Sequence, residues 1–188
     1  PGETIITGIG QGYLLVTPLQ LAYATASLAN RGQAIRPQLL RGLEDPGSGV
    51  ITHPTQRRGL TIKTNNSSSW DQIIAGMESV LHSSRGTARA SGRNSPYRIA
   101  GKTGTAQVVG ISQDGKNRSN ELPEELRDHA LFIAFAPVEQ PRIAIAVVVE
   151  NGGSGSRTAA PIARKIMDYY FIHRLRRASL RGIAHVFG

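Results

Sequence analysis

The two most apolar stretches of the chain, "HALFIAFAPV" (129–138) and "RIAIAVVVENG" (142–152), are separated only by the turn "EQP". Two apolar runs this short, the second rich in β-branched residues, and joined so tightly, read as neighbouring antiparallel strands. Neither run alternates cleanly between apolar and polar residues, so both faces of their sheet need cover. A third strand is expected from Tyr97 to Val109, with a polar loop over 111–127 between it and the pair. "GSGSR" reads as a flexible loop, and "TAAPIARKIMDYYFIHRL" as a final helix that covers the sheet.

Helices come first along the chain. In "TPLQLAYATASLANRG", Thr17 fits an N-cap, Pro18 the first helical position, and Gln20 the far side of a capping box. Leu21, Ala24, Thr25 and Leu28 would form its buried stripe, with Gly32 at its end. In "SWDQIIAGMESVLHSSRG", Ser69 and Gln72 form a second capping-box pattern. Ile73, Ile74, Met77, Val80 and Leu81 give its apolar face. "GIGQGY" suggests a tight turn, and 44–68 an irregular excursion with one short strand or hairpin. Helices, then three strands, then a helix make an α+β pattern.

The chain has 188 residues, 39% of them hydrophobic, which suits one domain with a real core. No apolar run reaches the roughly 18 residues a membrane span needs. It opens at Pro1, and Pro1–Thr7 is no signal peptide, so a piece of a longer protein is expected. The net charge of +9 raises nucleic acid as a partner. Aromatics are only 5%, however, and no recognition-helix or stacking-platform pattern accompanies the charge. No nucleic-acid role is expected. The densest basic stretch, "HRLRRASLRG", fits a solvated helix face or a contact with an anionic lipid or polymer. There is no cysteine, and the five histidines lack ligand spacing, so no metal site or other cofactor is expected. His129 is read as structural.

"IAGKTGTAQVVG" (99–110) places Lys102 among glycines and threonines. A phosphate-binding loop would need glycine at position 96, which is Pro96, and a helix after the lysine. The sequence that follows reads as continued strand. A carboxylate-binding strand fits better. Lys102 would lie on one face, with Thr103 and Thr105 on the other unless the strand is distorted at Gly104. Gly104 would let a ligand backbone lie close. The competing reading is an ordinary exposed lysine on a strand.

Lys102-Thr103-Gly104 is also one of three elements of the penicillin-recognising serine transferases. With "GIGQGYLLVTPLQLAYATASLANRG" and "HALFIAFAPVEQPRIAIAVVVENG", the chain resembles class B penicillin-binding proteins of the elongation type. The resemblance covers residues 1–172 and leaves 173–188 as a basic tail. It implies the C-terminal half of a β-lactamase-like transpeptidase fold. It also implies peptidoglycan crosslinking through a serine acyl-enzyme, with stem peptide as substrate and β-lactams as mimics. The site would face the periplasm at the inner membrane, among proteins of the elongation machinery. Lys102 and Thr105 would be catalytic, Thr105 through an oxyanion-binding N–H. Thr103, Gly104 and Thr105 would bind the donor peptide, along the strand edge.

Two family elements are missing from the sequence. The residues three before Lys63, Lys102, Lys116 and Lys165 are Leu60, Ile99, Gln113 and Ile162, so there is no Ser-x-x-Lys nucleophile. No Ser-x-Asn occurs either, and Ser69-Trp70-Asp71 is explained by helix capping. The chain alone is therefore expected to be inactive and to need an upstream half of the domain. It should also expose apolar surface on the sheet and on helix 17–30. The alternative is a non-catalytic fragment that binds stem peptide or a partner.

Overall fold

The computed structural model describes residues 2–8, 10, 12, 14–64, 66, 68–108 and 123–184. The side chains of 3, 58 and 174–184 lie outside that description. Helix α1 (Gly2–Gly8) is followed by α2 (Pro18–Ala29). An arm then carries β1 (Gln33–Ile35), β2 (Leu43–Glu44), β3 (Ile51–Thr52) and β4 (Arg58–Thr61). Helices α3 (Ser68–His82) and α4 (Arg89–Gly92) lead to β5 (Ala100–Ala106), β6 (His129–Ala136) and β7 (Ile143–Val149). A π-helical turn, Gly155–Ala159, runs straight into α5 (Ala160–Ala184), which crosses the expected boundary at 172/173 without a break.

The main sheet has the order β5-β6-β7 and is antiparallel throughout, with an unbroken register from Ala100↔Phe135 to Ala106↔His129. This is the α+β arrangement the sequence implies. Both faces are covered. On one, Ala100 and Phe135 pack with Ala29 of α2 and with Ile74 and Met77 of α3. On the other, Ala130, Phe132 and Ala134 meet Ala163 and Met167 of α5, together with Leu81 and Ile99. The alanines of this second face let α5 approach the sheet closely.

The Thr17–Gln20 capping box forms in both directions, at 3.2 and 2.8 Å. The buried side of α2 matches the expected stripe in part: Thr25 is buried as expected, and Leu21 and Leu28 are half-buried. Thr25, Ser27 and Ala29 are buried and Ala24 is exposed. Thr25 and Ser27 can be buried because each hydroxyl donates to a carbonyl one turn back, of Leu21 and Tyr23. On α3, Ile74, Met77 and Leu81 are buried as expected, but Ile73 faces out. Ser69 is inside the first turn of α3, and the Asn66 side chain accepts the Ser68 N–H instead. Gly10 and Gly12 of "GIGQGY" both have positive φ, while Ile9, Gln11 and Tyr13 lie outside the described residues. So does 111–122 of the expected loop, and 123–127 contains a single 3-10 turn. Leu15 and Leu19, at the entry to α2, are exposed. Among the described residues no helix is long and apolar enough to cross a membrane.

Candidate functional site

Strand β5 is held from three sides. The loop before it is clamped to α5, where Arg164 pairs with Asp168 at 2.8 Å and donates to the carbonyls of Ser91 and Arg93. Tyr97 donates its hydroxyl to Asp168 at 2.6 Å. Burial, then this bond, push the Tyr97 phenol well above its ordinary range. The Ile99 N–H donates to Nε2 of His82 at 3.0 Å, which ties the strand to the end of α3. Gly101 is required where it stands, because a Cβ there would meet the Phe132 ring at 2.7 Å and the Ile133 carbonyl at 2.9 Å.

The unbroken register settles the faces. Lys102 shares the α2/α3 face with Ala100, while Thr103 and Thr105, opposite Phe132 and Ala130, lie on the α5 face. Lys102 is exposed, and its Nζ donates to the Thr103 carbonyl at 2.7 Å. Only a carbonyl on the outer edge of β5 is open to such a donor. The two-residue backbone period then places the Thr105 N–H on the same edge. Among the described residues no strand pairs with that edge. An ammonium, a backbone amide and a residue without a side chain therefore border one strand edge that no described strand occupies, which suits an extended anionic chain.

Thr103 is half-buried, and its hydroxyl lies 3.4 Å from that of Thr87. Thr105 is exposed. Thr87 belongs to none of the motifs legible in the sequence. Gly155, expected in a flexible loop, is buried in a π turn laid against Gly104 and Leu131. The signal was a glycine two residues beyond Gly153, just ahead of a helix. The β6–β7 end is fixed in the same region. Asn151 donates its N–H to Nδ1 of His129 at 2.9 Å and its amide to the carbonyls of Glu125 and Arg127. Thr158 donates to the Gly152 carbonyl at 2.8 Å. His129 thus serves as a structural acceptor.

The sequence matches the transpeptidase domain of penicillin-binding proteins over residues 2–168. The chain belongs to this family. It is 42% identical over 176 residues to the peptidoglycan D,D-transpeptidase MrdA of Haemophilus influenzae, covering 93% of this chain and 26% of that protein. The PBP2 of Pseudomonas aeruginosa, solved in complex with WCK 5153, is similar with a TM-score of 0.73 and 45% identity, over 91% of this chain and 33% of its own. The PBP2 of Helicobacter pylori, solved in complex with MreC, has a TM-score of 0.71 at 30% identity, over 90% and 27%. The chain spans about a quarter of the length of the curated relative.

Proposed function

We propose that this chain supplies the Lys-Thr-Gly strand of a peptidoglycan D,D-transpeptidase on the periplasmic face of the inner membrane. A serine outside these 188 residues attacks the penultimate D-Ala carbonyl of a donor stem peptide and expels the last D-Ala. An acceptor amine then takes the acyl group from the serine. The donor lies along the outer edge of β5 as an added strand. The Thr105 N–H stabilises the oxyanion as it forms, the Thr105 hydroxyl turns to hold the donor carboxylate, and the Lys102 ammonium stabilises charge and aids proton transfer at the serine. Thr103, drawn to Thr87, positions the strand from the other face. β-Lactams enter by the same edge.

One observation carries this reading: Lys102 Nζ bonds the Thr103 carbonyl on β5, an outer strand of the described sheet. The need for an upstream half has its own support. Strand β7 is a second outer strand, seven uncharged residues long, and α5 leaves Ile162, Ile166 and Tyr169 exposed along one stripe. The elongation machinery is the expected setting, since the Helicobacter pylori relative is solved with MreC. The test is Lys102→Ala in the complete protein. Acylation by a fluorescent penicillin should slow by about 100-fold or more. Labelling at the native rate would overturn the role given to Lys102.

A further inference from the structure

The arm over 33–62 takes no part in the site described above. It leaves the body after α2 and returns before α3 as a two-stranded structure bonded along its length. Strands β1 and β4 pair, and the Arg36 N–H donates to the Arg57 carbonyl at 3.1 Å. Farther out, Gln38 Nε2 donates to the Thr55 carbonyl at 3.1 Å, and His53 Nδ1 meets the Arg41 carbonyl at 2.8 Å. Strands β2 and β3 then pair. At the tip the Asp45 carboxylate accepts from the N–H groups of Gly47 and Ser48 and from the Ser48 hydroxyl.

Its surface is not that of a solvated ribbon. Leu39 is fully exposed, Leu60 is 87% exposed, and Leu40, Leu43 and Ile51 are about half exposed or more. Leu39 and Leu40 line one cleft together, and exposed apolar surface of this kind marks a contact surface. Arg36, Arg41 and Arg57 stand among them, exposed and without an ion-pair partner among the described residues. The acids of the arm, Glu44 and Asp45, are both at the tip, and the turn engages Asp45. A cleft of about 520 Å³ brings Arg36 and Arg57 to the same concavity as Leu39, Leu40 and Pro54.

We propose that this arm docks an acidic protein segment that also carries apolar side chains. Its carboxylates pair with Arg36 and Arg57, and its apolar side chains seat on Leu39 and Leu40. The backbone bond between Arg36 and Arg57 sets the two residues side by side, so both guanidinium groups serve the same cleft and can pair with carboxylates of one peptide. A carboxylate-rich glycan polymer would match the arginines and leave the leucines in water, so charge and apolar surface together favour a protein partner.

The test uses the complete protein and a fluorescent twelve-residue peptide built from Glu-Leu-Glu repeats, read by anisotropy at low salt and near 0.15 M. Binding should weaken with salt. It should fall at least about tenfold in Arg36→Gln/Arg57→Gln and again in Leu39→Ser/Leu40→Ser. An all-Glu peptide of equal length should bind at least about tenfold more weakly than the mixed one. Penicillin labelling of both variants should stay at the native level, which reports an intact fold. Three results would overturn the proposal: no binding of the mixed peptide, binding unchanged in either variant, or equal binding of the all-Glu peptide with displacement by soluble peptidoglycan fragments. The last would assign the arm to the wall polymer. Loss of penicillin labelling in the native protein would count against the transpeptidase reading, and the peptide result stands apart from it.

Discussion

Gly155 lies flat on the backbone of Gly104: a Cβ on Gly155 would meet the Gly104 carbonyl at 2.3 Å and the Leu131 carbonyl at 2.4 Å. Those neighbours are backbone atoms and cannot swing aside. Gly155→Ala must lift the π turn off the Lys-Thr-Gly strand. Urea denaturation should show a loss of about 1–3 kcal/mol. Penicillin acylation of the complete protein should fall as well, because the displaced turn no longer supports β5. A variant with native stability and native acylation would remove the turn from the account of how β5 is held.

Gly101 and Phe132 predict a coupled pair. Gly101→Ala places a methyl 2.7 Å from the Phe132 ring and should cost about 1–3 kcal/mol. Phe132→Leu alone trims a fully buried side chain and costs stability too. The double variant should lose less than the sum of the two, since the smaller side chain makes room for the added methyl. Strict additivity in urea unfolding would mean that the ring is not what excludes a side chain at position 101.

Tyr97 predicts a pH dependence. Its folded-state pKa is raised above the unfolded value of 10.0, first by burial and then by the bond to Asp168. A raised pKa contributes stability that is complete below the unfolded value and lost as pH rises toward and through the folded value. Native stability should therefore fall on the alkaline side of pH 10. Tyr97→Phe should lose about 1 kcal/mol at pH 7 and show a shallower alkaline decline. Parallel curves for the two proteins from pH 8 to 11 would contradict the assignment.

The capping box predicts a smaller effect. Thr17→Ala removes the acceptor for the Gln20 N–H and should cost about 1 kcal/mol. Thr17→Ser keeps that acceptor and should cost much less. Equal losses in the two variants would show that the methyl of Thr17, not its hydroxyl, matters.

Where local chemistry decides an element, the sequence was readable. Thr17, Pro18 and Gln20 specify the start of α2 within one turn, and the apolar runs at 129–138 and 142–152 are the strands they suggest. Lys102 and Thr105 stood out because motif and strand pattern coincide there. The misses are tertiary. Ser27 is buried through a bond to its own helix, which apolar periodicity does not register. Ala24 looks like core in a stripe and faces out because α2 turns another side to the sheet. Gly155 resembles loop glycine in any window, and only the strand beneath it shows why it carries no side chain. Thr87 meets Thr103 across sixteen residues, a pairing that no local spacing signals.

The central claim is that these 188 residues carry the Lys102 half of a divided acylation site and no nucleophile. The most direct measurement is covalent labelling by a fluorescent penicillin, read on a denaturing gel. The chain is tested alone, then mixed with the separately produced upstream half of its protein, each with native Lys102 and with Lys102→Ala. The account predicts no label on this chain in any lane. It predicts label on the upstream half in the mixture with native Lys102, and little or none with the alanine variant. A label on the 188-residue chain alone would contradict it.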